Sequence, residues 1–287
     1  MPNQGGCPLT RRQLLLLGSI GLVAACAGHA APSAAPTPAA ERPAAAAPAR
    51  DPSTLRYAVG ASRYHEAAEI SQDVMGQAST FNAHAYLSTV VSAAGTNLGV
   101  AVTIDSLSSN VPEAEGMGIA RGRVVNLVFS PTGQLVSMTS PDSTNMALFQ
   151  VAEGLRELLP RLPNGAITAG ATWSDTVVRR VPAPDVTLTL TIARQHRVVG
   201  WEDHDGTRAL HLSTTGSYTM AGSGVAQGQT LELSGTGRNQ AEHFVSVAGV
   251  YLGNTEADTA DVNVSVASAG MRVAVRRTQR STVTRLP

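Results

Sequence analysis

The chain has few of the residue types from which many functional sites are built. Of its 287 residues, two are Cys, 4% are aromatic and 15% are charged, and every one of its 21 basic residues is Arg. The 21 acidic residues balance them, so there is no single-sign field of the kind that non-specific nucleic-acid binding requires. The only long apolar run is at the N-terminus. These absences argue against a nucleic-acid partner and against a polytopic membrane protein.

The first 25 residues have the three parts of an export signal. Arg11 and Arg12 lie in a polar region, an apolar stretch covers residues 14–25, and small residues precede Cys26. As a helix, this stretch would span about 18 Å, well short of a bilayer core of about 30 Å. We therefore predict a signal peptide and not a transmembrane anchor.

Residues 22–26, with the sequence LVAAC, resemble a bacterial lipobox. The resemblance implies cleavage before Cys26 and attachment of acyl chains to that residue. Ala27 differs from the Asp associated with inner-membrane retention, so the outer membrane is favoured in a cell with two membranes. Arg11 and Arg12 also resemble a twin-arginine signal, which leaves two export routes open. The alternative is an unmodified Cys26 in a secretory signal or in an uncleaved anchor.

A low-complexity segment follows. Between Ala27 and Pro52, 12 of 26 residues are Ala and 6 are Pro, without an aromatic or branched aliphatic residue. Such a segment cannot bury a core, and its prolines interrupt any helix. We predict a signal peptide over 1–25, a lipidated Cys26 with a disordered tether over 26–52, and a single domain over 53–287.

The domain alternates apolar and polar residues with a period of two, which is typical of half-buried antiparallel strands. Residues 131–133 and the Asp205-Gly206 pair separate such runs and predict hairpin turns. The predicted strands lie within residues 81–91, 98–107, 123–129, 186–192, 210–215, 230–234, 244–252, 262–266 and 271–276.

One segment departs from this pattern. Apolar residues between Met146 and Leu159 recur at three- and four-residue spacing, which predicts an amphipathic helix over about 141–159. Ser140 is the expected N-cap, and Pro160 is expected to end the helix. The predicted fold class is therefore mainly β, a curved antiparallel sheet or half-barrel with one packed amphipathic helix.

This layout resembles half-barrel envelope lipoproteins of the lipoprotein-carrier and mycobacterial lipid-carrier types. It also resembles an uncharacterised family of secreted bacterial β proteins, in which a helix is followed by a Gly-x-x-Trp strand start. Here that start is Gly170 to Trp173. The resemblance implies a sheet wrapped around the helix.

Histidine is the first place to search for a metal site. His204 lies in a polar hexapeptide between His196 and His211, and a hairpin at Asp205 would put the two flanking residues on opposite strands. Their spacing matches no recognised zinc motif, and a hairpin tip explains the polar residues equally well. We predict neither a metal nor a cofactor.

Catalytic signatures are weak. Asp175, Asp203, Asp205 and Glu242 are candidates for an acid–base pair, but the sequence does not bring them together. His243 lies beside Glu242 in a strand-like run, and a solvated strand face accounts for it. We therefore do not expect an enzyme.

The sequence favours a membrane-anchored envelope lipoprotein with a non-catalytic binding domain. An apolar ligand such as a lipid, held between the sheet and the helix, is the first candidate. The alternative is a structural module of the envelope that binds protein or glycan through its surface.

Overall fold

The computed structural model describes residues 51–110, 120–139, 146–183, 186–226, 229–266 and 270–287. They form one antiparallel sheet of eleven strands and one helix, so the predicted mainly-β class with a single helix is confirmed. The strands are β1 (Gly60–Val74), β2 (Gln77–Ala94), β3 (Asn97–Ser109), β4 (Val124–Phe129), β5 (Leu135–Thr139), β6 (Thr172–Ala183), β7 (Val186–His204), β8 (Thr207–Ala226), β9 (Gln229–Ser246), β10 (Tyr251–Val266) and β11 (Met271–Leu286), and helix α1 is Met146–Leu155.

Strands that follow one another in the chain are neighbours in the sheet, except β5 and β6, which form its two edges. The order is β5-β4-β3-β2-β1-β11-β10-β9-β8-β7-β6, so the first and last strands pair with each other. Their register runs from Arg63 opposite Leu286 to Val74 opposite Val275. The two edge strands, β5 and β6, are joined through α1 and the residues around it.

Most predicted strands and both predicted hairpins are present. Asp205 and Gly206 have φ angles of 49° and 76°, the left-handed pair that a tight two-residue hairpin turn requires. The expected strand over residues 244–252 was wrong, because the chain reverses inside it. Gly249 adopts a φ of 78°, and the Ser246 amide donates to the Val250 carbonyl, which closes the turn between β9 and β10.

Helix α1 ends at Leu155, four residues earlier than predicted. The amides of Arg156, Glu157 and Leu158 bond to carbonyls three residues back, so the chain continues as tighter turns. The expected N-cap and first turn, residues 140–145, lie outside the described residues. On the helix, Leu148, Ala152 and Leu155 are buried at a spacing of four and three residues, which confirms an amphipathic helix.

Two apolar clusters lie on the inner face of the sheet, which is the face whose side chains are buried. The helix-end cluster packs α1 against strands from both halves of the chain, including Ile104, Phe129, Leu210 and Val245. The far cluster is formed by the other ends of β7 to β11, with Leu188 and Val264 among its buried members. The inner face between them is polar, and that polar zone contains the candidate site.

Within the described part of the chain, no helix is both long and apolar enough to span a membrane. Arg11, Arg12, Cys26 and nearly all of the predicted tether lie outside the described residues, so the predictions for the export signal and the lipid attachment stay predictions.

Candidate functional site

A band of polar side chains crosses the inner face between the two apolar clusters. Strand pairing aligns its members in transverse rows, because residues opposite each other on neighbouring strands point to the same face. One row contains Trp173, His196, Thr214, Ala241, Glu256 and Ser281. The adjacent row contains Asp175, Arg194, Gly216, Asn239, Asp258 and Gln279.

The polar band borders a cavity of about 410 Å³ between the sheet and the segment that follows α1. Residues of both edge strands, such as Ser137 on β5 and Val177 on β6, line this single cavity. The sheet therefore curls far enough to bring its two edges to one space. A volume of this size is in the range of small-molecule sites, which is roughly 300–1,000 Å³.

Two arginines and one glutamate form the most highly charged part of the cavity wall. The guanidinium groups of Arg179 on β6 and Arg194 on β7 both contact Oε1 of Glu157, which follows α1. The two arginine side chains are only 10% and 12% exposed. Burial, together with the neighbouring charge of Arg194, lowers the pKa of Arg179 to about 10, so Arg179 remains charged at neutral pH. Burial also lowers the pKa of Arg194.

A second charged group lies beside it. Oδ1 of Asp175 is 3.5 Å from Nε2 of His196, and Oδ2 is 3.1 Å from Nε of Arg161. Contact with His196 and the charges of Arg194 and Arg161 hold the pKa of Asp175 below its ordinary value, despite burial. The other ring nitrogen of His196 is 3.0 Å from the hydroxyl of Thr214. Nδ1 of His196 is therefore held by Thr214, whereas Nε2 faces the carboxylate of Asp175 without a hydrogen bond.

Two carboxylic acids on the same face have unusually high pKa values. Burial raises the pKa of both Glu66 and Glu256 to about 7, and each is raised further by a nearby acid, Glu256 for the former and Asp258 for the latter. The amide of Asn239 donates to Glu256 at 3.3 Å and favours its charged form. Both side chains keep some accessible surface, because they face the polar interior of a curled sheet.

Several buried polar atoms of this wall have no hydrogen-bond partner within the described chain. Besides the atoms of the Asp175–His196 contact, they are Nε of Arg194, Nδ1 of His243, Oδ1 of Asn239 and Oδ1 of Asn254. All four residues line the cavity. Because buried polar atoms are almost always paired in proteins, such a group of unsatisfied donors and acceptors is what a binding site for a polar ligand presents.

The three histidines singled out from the sequence do not form one site. The hairpin at Asp205 forms as predicted, but His196 points to the inner face and His211 to the outer one. His211 instead lies 2.9 Å from Glu242 and 3.3 Å from Glu202, and His204 stacks on Phe244. Among the described residues, no group of three or more potential ligands could hold a metal ion.

The acidic candidates are also dispersed. Asp175 reaches the cavity, whereas Glu242 accepts a hydrogen bond from Ser213 on the outer face. Asp203 lies opposite Arg208 near the hairpin end. The expectation of a solvated His243 was wrong: the ring is 9% exposed, and burial lowers its pKa to about 3. His243 belongs to the cavity wall because odd-numbered residues of β9 face inward.

Sequence reasoning did not identify Arg179, Arg194, Glu157 or Glu256. The alternation of inward and outward residues along a strand could have indicated such positions. On β11, the inward positions change from Val273 and Val275 to Arg277, Gln279 and Ser281 without a change of parity. Polar residues in phase with a buried apolar series indicate a polar interior, and not a solvated face.

No family model matches the sequence, and no curated protein matches it. Among solved structures, the chain is similar to OccK2 (OpdF) of Pseudomonas aeruginosa, with 9% identity and a TM-score of 0.24 over 79% of this chain and 98% of that one. A mutant porin of Rh. blastica has 8% identity and a TM-score of 0.24, over 79% and 100%. A DUF1329 family protein of Desulfovibrio piger has 10% identity and a TM-score of 0.17, over 76% and 84%. The likeness is confined to a β-rich fold, and at these TM-scores it carries no argument about function.

Proposed function

We propose that this chain is an envelope-anchored lipoprotein whose β domain binds a small ligand without transforming it. The ligand occupies the cavity between the inner face of the sheet and the segment after α1. The anchor is the acyl-modified Cys26, and the outer membrane is its favoured location in a cell with two membranes. The observation that carries the binding proposal is the set of unsatisfied polar atoms in the cavity wall.

The chemistry of the wall favours a polar or amphipathic ligand over the purely apolar one expected from the sequence. Arg, Glu, Asp, His and Asn are more than half of the residues that line the cavity, and apolar residues such as Leu135, Leu159 and Val177 are about a third of them. Inserting a purely apolar molecule would leave these polar groups without water or partners, at a cost of roughly 1–3 kcal/mol for each.

A substitution at Ala241 tests the proposal. Ala241 is 3% exposed, lines the cavity and lies between Thr214 and Glu256 in the transverse row. Leucine at this position would fill part of the cavity. Ala257 is the matched control, because it is exposed on the next strand and faces outward.

The measurement is native mass spectrometry of the full chain purified in detergent from its own cell envelope. We expect a bound small molecule in the wild type and in Ala257→Leu, and its loss in Ala241→Leu. A wild type without any bound small molecule, or equal occupancy in Ala241→Leu, would contradict a ligand in this cavity.

A second candidate function has one observation in its favour. The edge strand β6 is twelve residues long, and Val178 on it is 66% exposed. An open edge of this length can pair with an extended segment of another protein. This supports the envelope-interaction alternative. Thr176→Lys, at an exposed position of the same strand that does not line the cavity, would weaken partner capture without changing cavity occupancy.

A further inference from the structure

The cluster of Arg179, Arg194 and Glu157 is unusual because two recessed cations share one carboxylate oxygen. The cavity wall has three other acids, Glu153, Asp175 and Glu256, which act on this arginine pair through space and not through a direct ion pair. Glu153 pairs with Arg156 at 2.7 Å, and Asp175 lies against Arg161 and His196. Five arginines line the cavity against these three acids and Glu157, and burial of Glu256 raises its pKa to about 7, so the wall around the arginine pair has an excess of positive charge.

Excess charge in a recessed site has a physical consequence. A cation removed from water is stabilised only by nearby opposite charge and hydrogen bonds, so an under-neutralised pair attracts an anion. In addition, Nε of Arg194 is buried and has no hydrogen-bond partner in the described chain. The site thus retains a donor beyond those that Glu157 uses.

Glu157 is the least fixed member of the cluster. It lies in the turns after α1, where its amide bonds to the Gly154 carbonyl at 3.4 Å, and its side chain is 37% exposed. The arginines, by contrast, project from paired strands. A carboxylate on a turn can leave this position at lower cost than a guanidinium on a sheet can.

We infer that the Arg179–Arg194 pair is the anion-binding centre of the cavity, that it binds the carboxylate of a small organic acid, and that Glu157 occupies it when no ligand is bound. This inference rests on the proposed function and specifies its ligand class. The remainder of the acid lies along the polar wall, within reach of His243, Asn239 and Asn254, which line the same cavity. Binding exchanges an internal carboxylate for an external one, and no covalent bond changes.

The test uses chemical rescue in the full chain. Glu157→Ala removes the equivalent of one acetate from between the two arginines, so we expect a lower Tm than in the wild type. Sodium acetate at about 100 mM should then raise the Tm of this variant by roughly 3 °C over sodium chloride of equal ionic strength. Acetamide, which has the same shape without the charge, should have no effect.

Two further variants keep the test decisive. If Glu157→Ala folds poorly, Glu157→Gln replaces it in the test, because glutamine keeps the shape of the side chain without its charge. Acetate should stabilise Glu157→Gln more than it stabilises the wild type. Glu232→Ala removes an exposed glutamate on β9, and acetate should not change its Tm relative to chloride. Equal effects of acetate and chloride on both Glu157 variants would overturn the inference.

The outcomes separate this inference from the proposed function. Specific acetate rescue without any small molecule bound to the envelope-purified wild type would support the anion centre and contradict the proposed function. A bound neutral molecule that Ala241→Leu abolishes, combined with no acetate rescue, would support the function and contradict the anion centre.

Discussion

The ionisation of single residues on the inner face makes the stability of the fold depend on pH. Glu66 and Glu256 both have a pKa near 7, against an ordinary value of 4.5. A raised pKa means that the folded state holds the proton more tightly, so this contribution to stability is complete below about pH 4.5 and is lost as pH rises through 7. His243 acts in the opposite sense. Its pKa near 3 makes stability fall as pH drops below about 6.5.

These signs predict a loss of stability between pH 6 and pH 8. Over this range the glutamates ionise in the folded state, and the wild type should lose on the order of 1 kcal/mol of unfolding free energy. Glu256→Gln should lose clearly less, because it removes one acid and the charge that raises the pKa of the other. Urea unfolding at the two pH values measures this. An equal loss in the wild type and Glu256→Gln would contradict the buried-acid account, and Glu232→Gln is the exposed control.

Individual strands of this sheet depend on close packing across their neighbours. Gly237 on β9 lies opposite Tyr218 on β8, and a Cβ at position 237 would meet the Tyr218 ring. The ring is nearly buried, and its hydroxyl donates to Asp258 at 3.0 Å. The absence of a side chain at Gly237 therefore leaves room for the Tyr218 ring to lie over the sheet.

Gly237→Ala should destabilise the protein by about 1–3 kcal/mol through overpacking. Thermal unfolding measures the change. In a Tyr218→Ala background the same substitution should cost much less, since the clashing ring is gone. Gly165→Ala is the matched control, because a Cβ there meets open space. A cost at position 237 that persists without the tyrosine would show that the packing is not the cause.

The periodicity of apolar residues in the sequence predicted the strands and the helix better than it predicted the candidate functional site. Alternation identified strands such as β3 and β4, and the Asp205-Gly206 pair identified its hairpin, because these signals are local. The turn between β9 and β10 was missed because Gly249 lies in an apolar run that reads as one strand. The meeting of Arg179, Arg194 and Glu157 depends on the curl of the sheet and on the chain after α1, which have no local signature.

At the scale of the whole molecule, the two halves of the chain share one core. Phe129 on β4 is fully buried in the helix-end cluster together with Leu210 and Val245 of the second half, and β1 pairs with β11 between them. Trp173 and Trp201 pack against this cluster. We therefore expect the halves to unfold together.

Phe129→Ala tests this coupling. Loss of a buried phenylalanine should cost about 3–5 kcal/mol. Because both tryptophans lie in the second half, their fluorescence should report the same downward shift of the urea midpoint as far-ultraviolet circular dichroism does. An unchanged fluorescence midpoint, or two separate transitions, would show that the halves are independent.

The central claim is that the polar cavity between the sheet and the segment after α1 is a ligand site. A crystal structure of the full chain purified from its own envelope tests it most directly. The account predicts continuous density for a small molecule in the cavity, with a carboxylate against Arg179 and Arg194 and with Glu157 displaced from them. A cavity that contains only solvent, with Glu157 still held between the two arginines, would contradict it.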